Sequence, residues 1–278
     1  MVIETLLSLA LAAGPVERRE LLGYSVRGRP IHALQLGDPQ SIRRVLIVGC
    51  IHGNECAGTA VTRLLANGAI PADAEIWIVH HLNPDGFRLG VRQNARGVDL
   101  NRNFPAGWRL LGQRWDLTYS GPKPLSEPES RIARRFILRV QPALTIWFHQ
   151  PQTNVRAWND RDSQAARRYA RVVGLPFRRL RVPPGAATRW QRSVFPEART
   201  FVVELAPGPL SARAAARHAA AIRSLTRSEF AISAPASRIS SSAFSESPGW
   251  TSTPRTASSI TVTSKPRRRA SRTLDFTQ

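Results

Sequence analysis

A continuous apolar run, Val45-Leu-Ile-Val-Gly-Cys50, constrains the fold of this 278-residue chain more than any other segment. A strand that is apolar on both sides must be covered on both faces of its sheet, as in parallel sheets between helices. Further apolar runs follow at residues 75–82, 144–148 and 201–205, with helix-period segments between them. Because alternating strands and helices favour parallel pairing, we predict a single α/β domain. Its mixed, largely parallel twisted sheet should lie between helix layers.

The other predicted elements are a hairpin at residues 20–37 and four helices. The helices cover residues 55–67, 126–140, 162–173 and 211–230. Ser126 is the expected N-cap of the second helix, with Glu127 and Glu129 in its first turn, near the positive end of the helix dipole. Asn83-Pro-Asp-Gly86 predicts a turn, and residues 183–190 predict a loop.

Composition divides the chain into three parts. Residues 1–19 are apolar and then small-residue-rich, but they carry Glu4 and lack a basic start. A signal remnant and a short amphipathic helix are therefore both open for this segment. Residues 20–230 carry the apolar periodicity of a folded domain. Residues 231–278 are rich in Ser, Thr, Pro and Arg, and such a composition predicts a disordered tail.

The charge is strongly positive, with 40 basic and 19 acidic residues and a net charge of +21. Only Lys123 and Lys265 are lysines, so nearly all of the basic residues are arginine. This excess favours anionic partners in general, yet no aromatic-interleaved basic motif points to nucleic acid specifically. No run of about 18 apolar residues predicts a transmembrane helix. The compartment stays open between the cytoplasm and the cell envelope.

The run His52-Gly-Asn-Glu55 follows the first apolar strand directly. We expect the strand end to fix His52 and the first helical turn to bring Glu55 beside it, since residues three apart share a helix face. An imidazole and a carboxylate suit catalytic zinc, which takes three protein ligands and keeps one position for water. His149 and Glu204 also stand at strand ends, where ligands of such sheets bind. The two cysteines, Cys50 and Cys56, bracket the motif and are expected to be unpaired.

A further segment completes the set of motifs: Arg92-Gln-Asn-Ala-Arg-Gly-Val-Asp99-Leu-Asn101-Arg102-Asn-Phe-Pro105. Together with His52-x-x-Glu55, His149 and Glu204, it resembles the M14 family of zinc metallocarboxypeptidases over roughly residues 20–228. Residues 89–105, 121–129 and 148–151 are similar to one branch of that family, the bacterial murein peptide amidases. Members of this branch cut the γ-D-glutamyl–diaminopimelate bond of cell-wall peptides.

The resemblance implies one Zn²⁺ per chain, held by His52, Glu55 and His149 with water in the fourth position. It implies that Glu204 is the general base, which takes a proton from water and passes it to the leaving amine. Arg92 would stabilise the developing oxyanion as a fixed cation.

The resemblance also implies a substrate-binding pair, Asn101 and Arg102, which would hold a free carboxylate beside the scissile bond. Asp99 would orient the ring of His52 through its non-coordinating nitrogen. One departure stands out, because digestive members use a tyrosine on a loop before the catalytic glutamate, and no tyrosine lies in residues 170–203. Thr188, Arg189 or Trp190 would line the substrate pocket there instead.

We therefore predict zinc-dependent hydrolysis of a peptide or amide bond next to a free carboxylate, with a muropeptide as the leading substrate. Three alternatives remain: a general metallocarboxypeptidase, a zinc-dependent deacylase of N-acyl amino acids, and an inactive wall-binding relative. The sequence leaves the oligomeric state open.

Overall fold

The computed structural model describes residues 16–69, 72–179 and 181–228, which form eight strands and six α-helices. The strands are β1 (Val16–Tyr24), β2 (Pro30–Gly37), β3 (Arg44–Val48), β4 (Glu75–Val79), β5 (Leu144–His149), β6 (Asn154–Ala157), β7 (Phe177–Arg179) and β8 (Arg199–Glu204). The helices are α1 (Gly58–Ala66), α2 (Pro84–Leu89), α3 (Pro128–Val140), α4 (Asp160–Val173), α5 (Ala187–Val194) and α6 (Ala212–Ser228). A 3₁₀ turn spans Leu100–Arg102.

All eight strands form one mixed sheet in the order β1-β2-β4-β3-β5-β8-β6-β7. The central strands β4, β3, β5 and β8 are parallel, whereas the β1–β2 hairpin and β6 add antiparallel pairs. The predicted α/β class and the mixed, largely parallel sheet are confirmed. Because β5 and β8 are parallel neighbours, His149 and Glu204 are paired at their common carboxyl end.

Alternate side chains of each central strand enter two apolar cores, one on each face of the sheet. Val45 and Ile47 of β3 pack with α1, α4 and α6, whereas Leu46 and Val48 pack with α3 and α5. This alternation follows from the two-residue period of a strand, and it requires a helix layer on both faces. The sheet is therefore covered by helices on both faces, beneath the loops at its carboxyl edge.

Several local predictions are wrong. Helix α1 begins at Gly58, three residues after Glu55, so this glutamate lies in a turn and not in the first helical turn. Helix α3 has Glu127 as its N-cap residue, and Ser126 instead donates to the Glu127 side chain. Asn83 caps a short helix, α2, where a turn was expected. Helices α2 and α3 begin with Pro84 and Pro128, because proline suits the first helical position. The start of α1 is displaced by the turn in which the Glu55 amide donates to the His52 carbonyl.

The elements missed by the sequence prediction are short or lie in the expected loop. The strands β6 and β7 have only four and three residues, and α5 begins inside the predicted loop 183–190. Strand β1 starts at Val16, so the last residues of the 1–19 segment belong to the sheet. The predictions for residues 1–15 and for the 231–278 tail lie outside the described residues. In the part of the chain described here, no helix has the length and apolarity to cross a bilayer.

Candidate active site

Three side chains converge at the carboxyl edge of the sheet: His52, Glu55 and His149. Nδ1 of His52 lies 2.9 Å from Oε2 of Glu55 and 3.1 Å from Nδ1 of His149, and Nδ1 of His149 lies 3.0 Å from the same Oε2. All three residues are buried. Two ring nitrogens facing each other and a shared carboxylate oxygen form the donor set of a zinc site with three protein ligands.

The backbone explains why His52 and Glu55 meet. A turn closes between them, in which the amide of Glu55 donates to the carbonyl of His52 at 3.0 Å. Gly53 lies against the backbone of Gly86, and a Cβ at position 53 would overlap the Gly86 carbonyl carbon. The close approach of these two loops therefore requires glycine at position 53.

Asp99 contacts His52 from the opposite side of the ring. Its Oδ1 lies 2.9 Å from Nε2 of His52, and it also accepts the backbone amide of Asn101 at 2.8 Å. A proton held on Nε2 by Asp99 leaves Nδ1 of the neutral ring as the lone-pair donor for a metal. Arg92 donates from Nε and Nη2 to the other Asp99 oxygen, Oδ2, at 3.1 and 3.0 Å, and it also forms an ion pair with Glu55.

The electrostatics favour the metal-binding form of Glu55 and His149, whereas for His52 burial is outweighed by the charge and hydrogen bond of Asp99, which raise its pKa. Burial disfavours the charged carboxylate of Glu55, but hydrogen bonds from His149 and His52 outweigh it and hold its pKa well below the usual range. Burial likewise opposes ionisation of Asp99, and the charge and hydrogen bond of His52 bring its pKa below normal. Burial lowers the pKa of His149. Both carboxylates are therefore ionised at neutral pH, as divalent metal binding requires.

Asn101 and Arg102 lie next to this centre on the 3₁₀ turn. The Asn101 side chain lies 3.4 Å from Nε2 of His149, and its Oδ1 accepts the amide of Ala187 at 3.0 Å. The Arg102 guanidinium donates to the Asn101 carbonyl at 2.8 Å, and burial lowers its pKa. The turn thus places an amide and a guanidinium at the rim of the metal centre.

Glu204 ends β8 beside His149 and is nearly buried, with 7% of its surface exposed. Its Oε1 pairs with the Arg156 guanidinium at 3.2 Å. Its Oε2 is buried and accepts no hydrogen bond from the described residues. A buried carboxylate oxygen without a partner is costly in a purely structural role, which favours a functional role for Glu204.

Two features here were missed or wrongly predicted from the sequence. Cys50 and Cys56 form a disulfide, with Cα atoms 4.7 Å apart, so the expectation of unpaired cysteines is wrong. The bridge encloses the segment that carries His52 and Glu55, and His81 lies near the two sulfurs. The pairing of Arg156 with Glu204 had no sequence signal, because β6 contains no apolar run that would place it beside β8.

The expected pocket residues of the 183–190 segment separate into two kinds. Thr188 and Trp190 are buried, and the Trp190 ring packs on Phe104 with ring centres 5.4 Å apart. Arg189 is exposed and lines a basic cleft of about 500 Å³. The complete lining of this basic cleft is Trp158, Arg179, Arg181, Val182, Arg189 and Arg192.

A family model described as zinc carboxypeptidase matches residues 8–171, more than half of the chain. The chain belongs to the zinc carboxypeptidase family. The matched range includes the His52, Glu55 and His149 donors and ends before Glu204. Membership and the observed donor set together make the chain a zinc-dependent peptide-bond hydrolase.

Relatives within this family cover different fractions of the chain. Murein peptide amidase A from Escherichia coli (strain K12) is 32% identical over 170 residues, which span 57% of this chain and 69% of that protein. Carboxypeptidase E from Caenorhabditis elegans is 34% identical over 114 residues, only 24% of its length. The similarity to carboxypeptidase E is therefore local, whereas murein peptide amidase A is matched over most of its length.

Two solved structures are also similar to this chain. The crystal structure of a murein-tripeptide amidase from Escherichia coli O157 matches with a TM-score of 0.63 and 30% identity, covering 75% of this chain and 91% of that one. Carboxypeptidase A from Helicoverpa armigera matches with a TM-score of 0.66 at 19% identity, covering 78% of this chain and 69% of that one. The latter shows a common zinc carboxypeptidase fold.

Proposed function

We propose that the chain hydrolyses an amide bond next to a free carboxylate in cell-wall peptides, as a murein peptide amidase. The observation that carries the proposal is the convergence of Glu204 with the His52–Glu55–His149 donor set at one sheet edge. The murein amidase relatives, matched over 69% and 91% of their lengths, support a muropeptide as substrate.

Each proposed role has a structural basis in this chain. His52, Glu55 and His149 would hold the zinc, which would supply an acidified water and polarise a carbonyl. Glu204 is the proposed general base, since its unpartnered Oε2 is free to take a proton from water and pass it to the leaving nitrogen.

The substrate carboxylate is proposed to bind at Asn101 and Arg102. The planar guanidinium of Arg102 offers paired donors that match a carboxylate, and only its Nη1 is committed to the backbone among the described residues. Arg92 is the proposed oxyanion partner. Its ion pairs with Glu55 and Asp99 fix the guanidinium in place before any substrate arrives.

The decisive experiment compares two substrates on the zinc-loaded protein. L-Ala-γ-D-Glu-diaminopimelate carries the amide bond proposed here, and a C-terminally free L-peptide tests general carboxypeptidase activity. We expect release of diaminopimelate from the first substrate alone, and a fall in kcat of about 10²–10⁴-fold in Glu204→Gln. Cleavage of the L-peptide alone would refute the amidase proposal, and muropeptide binding without any cleavage would favour an inactive wall-binding relative.

A further inference from the structure

Arg156 lies on β6, outside the sequence motifs, and its guanidinium contacts Glu204. On β6, Val155 and Ala157 enter one apolar core, so Arg156 projects from the opposite face by strand alternation. Antiparallel pairing of β6 with β8 sets Asn154 opposite Glu204 and Arg156 opposite Val202. This pairing brings Nη1 of Arg156 to 3.2 Å from Oε1 of Glu204.

Only part of the hydrogen-bonding capacity of the Arg156 guanidinium is used within the described residues. Its Nε donates to Oδ1 of Asn154 at 2.9 Å, and its Nη1 pairs with Glu204. Within the described residues, Nη2 has no hydrogen-bond partner, and Glu204 supplies the only ion pair of this arginine. Since a guanidinium carries five donors in a fixed fork, one edge remains available to a second carboxylate. About a fifth of the side chain is exposed, at 21%.

The basic cleft begins two residues after Arg156 in the chain, at Trp158. Trp158 lies two residues further along the chain on the same side, and the Arg192 guanidinium stands 5.7 Å from the centre of its ring. Trp158 and Arg192 both line the basic cleft, which also includes Arg181 and Arg189. Neither Arg181 nor Arg189 has a carboxylate partner in the described part of the chain. An anionic group entering here is attracted, and a purely cationic one is repelled.

We propose that Arg156 is a specificity-determining residue that binds a second carboxylate, carried on the leaving residue of the substrate. This inference rests on the proposed function in one respect, the role of Glu204 as the group that passes a proton to the leaving amine. Because Arg156 is paired with Glu204, it then lies beside the leaving residue of the substrate. Asn101 and Arg102 then hold the carboxylate beside the scissile bond, while Arg156 holds the one at the far end of the side chain. The substrate class is an amide whose leaving amino acid is a dicarboxylate.

The test uses two ligands that differ by one carboxylate, diaminopimelate and lysine. Binding of each free amino acid to the zinc-loaded protein is measured by titration calorimetry for wild type, Arg156→Met and Arg171→Met. Arg171 is an exposed arginine of α4 and serves as the matched control for loss of charge. Zinc content and thermal unfolding establish that each variant is folded.

We expect wild type and Arg171→Met to bind diaminopimelate roughly tenfold or more tightly than lysine, as for a charge-assisted hydrogen-bonded pair. Arg156→Met should lose this preference while its affinity for lysine changes by less than about twofold, and Arg156→Lys should keep part of it. Equal loss of affinity for both ligands, or an unchanged preference, would overturn the proposal and leave Arg156 as a residue that only positions Glu204.

Hydrolysis of L-Ala-γ-D-Glu-diaminopimelate and of its lysine counterpart separates this inference from the proposed function. If neither amide is cleaved but the binding preference exists and depends on Arg156, the proposed reaction is refuted and the specificity role of Arg156 stands. If both amides are cleaved with equal kcat/KM by wild type, the reaction stands and the role of Arg156 is refuted.

Discussion

Asp99 and His52 form a pair in which the carboxylate Oδ1 lies 2.9 Å from Nε2, on the opposite side of the ring from the Nδ1 that faces Glu55 and His149. Both side chains are buried. With Nε2 turned to Asp99, Nδ1 is the ring nitrogen that faces Glu55 and His149.

Replacement of Asp99 by Asn should weaken zinc binding by about 10–100-fold, the usual effect of removing such an outer partner. The amide has nearly the same shape, but it lacks the charge that stabilises the Nε2 proton of His52. Zinc affinity is measured by competition with a chromogenic chelator. Asp73→Asn is the control, since Asp73 is mostly exposed and pairs with Arg43. Equal zinc affinity in wild type and Asp99→Asn would contradict this role.

Removing zinc should lower thermal stability, because the metal binds the folded donor set and not the unfolded chain. At free zinc about 1,000-fold above the dissociation constant, the stabilisation is about 4 kcal/mol. We expect chelation to lower the unfolding midpoint of wild type and to leave His149→Ala unaffected. A zinc-dependent midpoint in His149→Ala would show that the metal is held elsewhere.

Gly53→Ala should destabilise the fold by about 2–3 kcal/mol and reduce zinc content, since the added methyl group meets the Gly86 backbone, which cannot move aside as a side chain can. Gly68→Ala is the matched control, because the atoms closest to the new Cβ there belong to the end of the flexible Arg223 side chain, and the nearest backbone atom, the Leu64 carbonyl oxygen, is 3.1 Å away. Urea unfolding and metal analysis measure the two effects. Similar losses in both variants would refute the claim that the Gly53–Gly86 contact is special.

His218 should make the fold sensitive to acid. It is buried, its Nδ1 lies 2.6 Å from the Tyr169 hydroxyl, and burial lowers its pKa to about 4. An unfolded histidine titrates near pH 6.5, so between these values the unfolded chain binds the extra proton. Stability from this residue is thus present above pH 6.5 and is lost as pH falls toward 4, by up to about 3 kcal/mol.

The check is urea unfolding of wild type and His218→Asn at several pH values between 4 and 7.5. The difference in unfolding free energy between the two proteins cancels the other titrating groups, and it should shrink as the pH falls. A difference that stays constant over this range would show that His218 does not cause the acid sensitivity.

The sequence was informative where a single local pattern dictates structure. Apolar runs identified the buried strands β3 and β5, and the positions of His149 and Glu204 at strand ends followed directly. Helix starts were less predictable because contacts from distant segments decide them. Glu55 shows this: a turn hydrogen bond, and not a helix, brings it to His52.

Other parts of the site had no local signal. Strand β6 is too short and polar to be recognised, yet its antiparallel pairing alone brings Arg156 to Glu204. The Cys50–Cys56 bridge depends on how the chain turns between β3 and α1, and the spacing of the cysteines allowed either outcome. Contacts of this kind depend on which segments pair in three dimensions, and a local residue pattern does not reveal that pairing.

The candidate site is assembled from distant parts of the chain. His52 and His149 are 97 residues apart, and the pairing of β5 with β8 places Glu204 beside His149. An incomplete or unfolded chain offers only the nearby His52–Glu55 pair, which is a weak chelator. Zinc capture must therefore follow assembly of the sheet rather than nucleate it. With Glu204 as the proposed general base, a newly synthesised chain has its complete site only after its last central strand, β8, has been made.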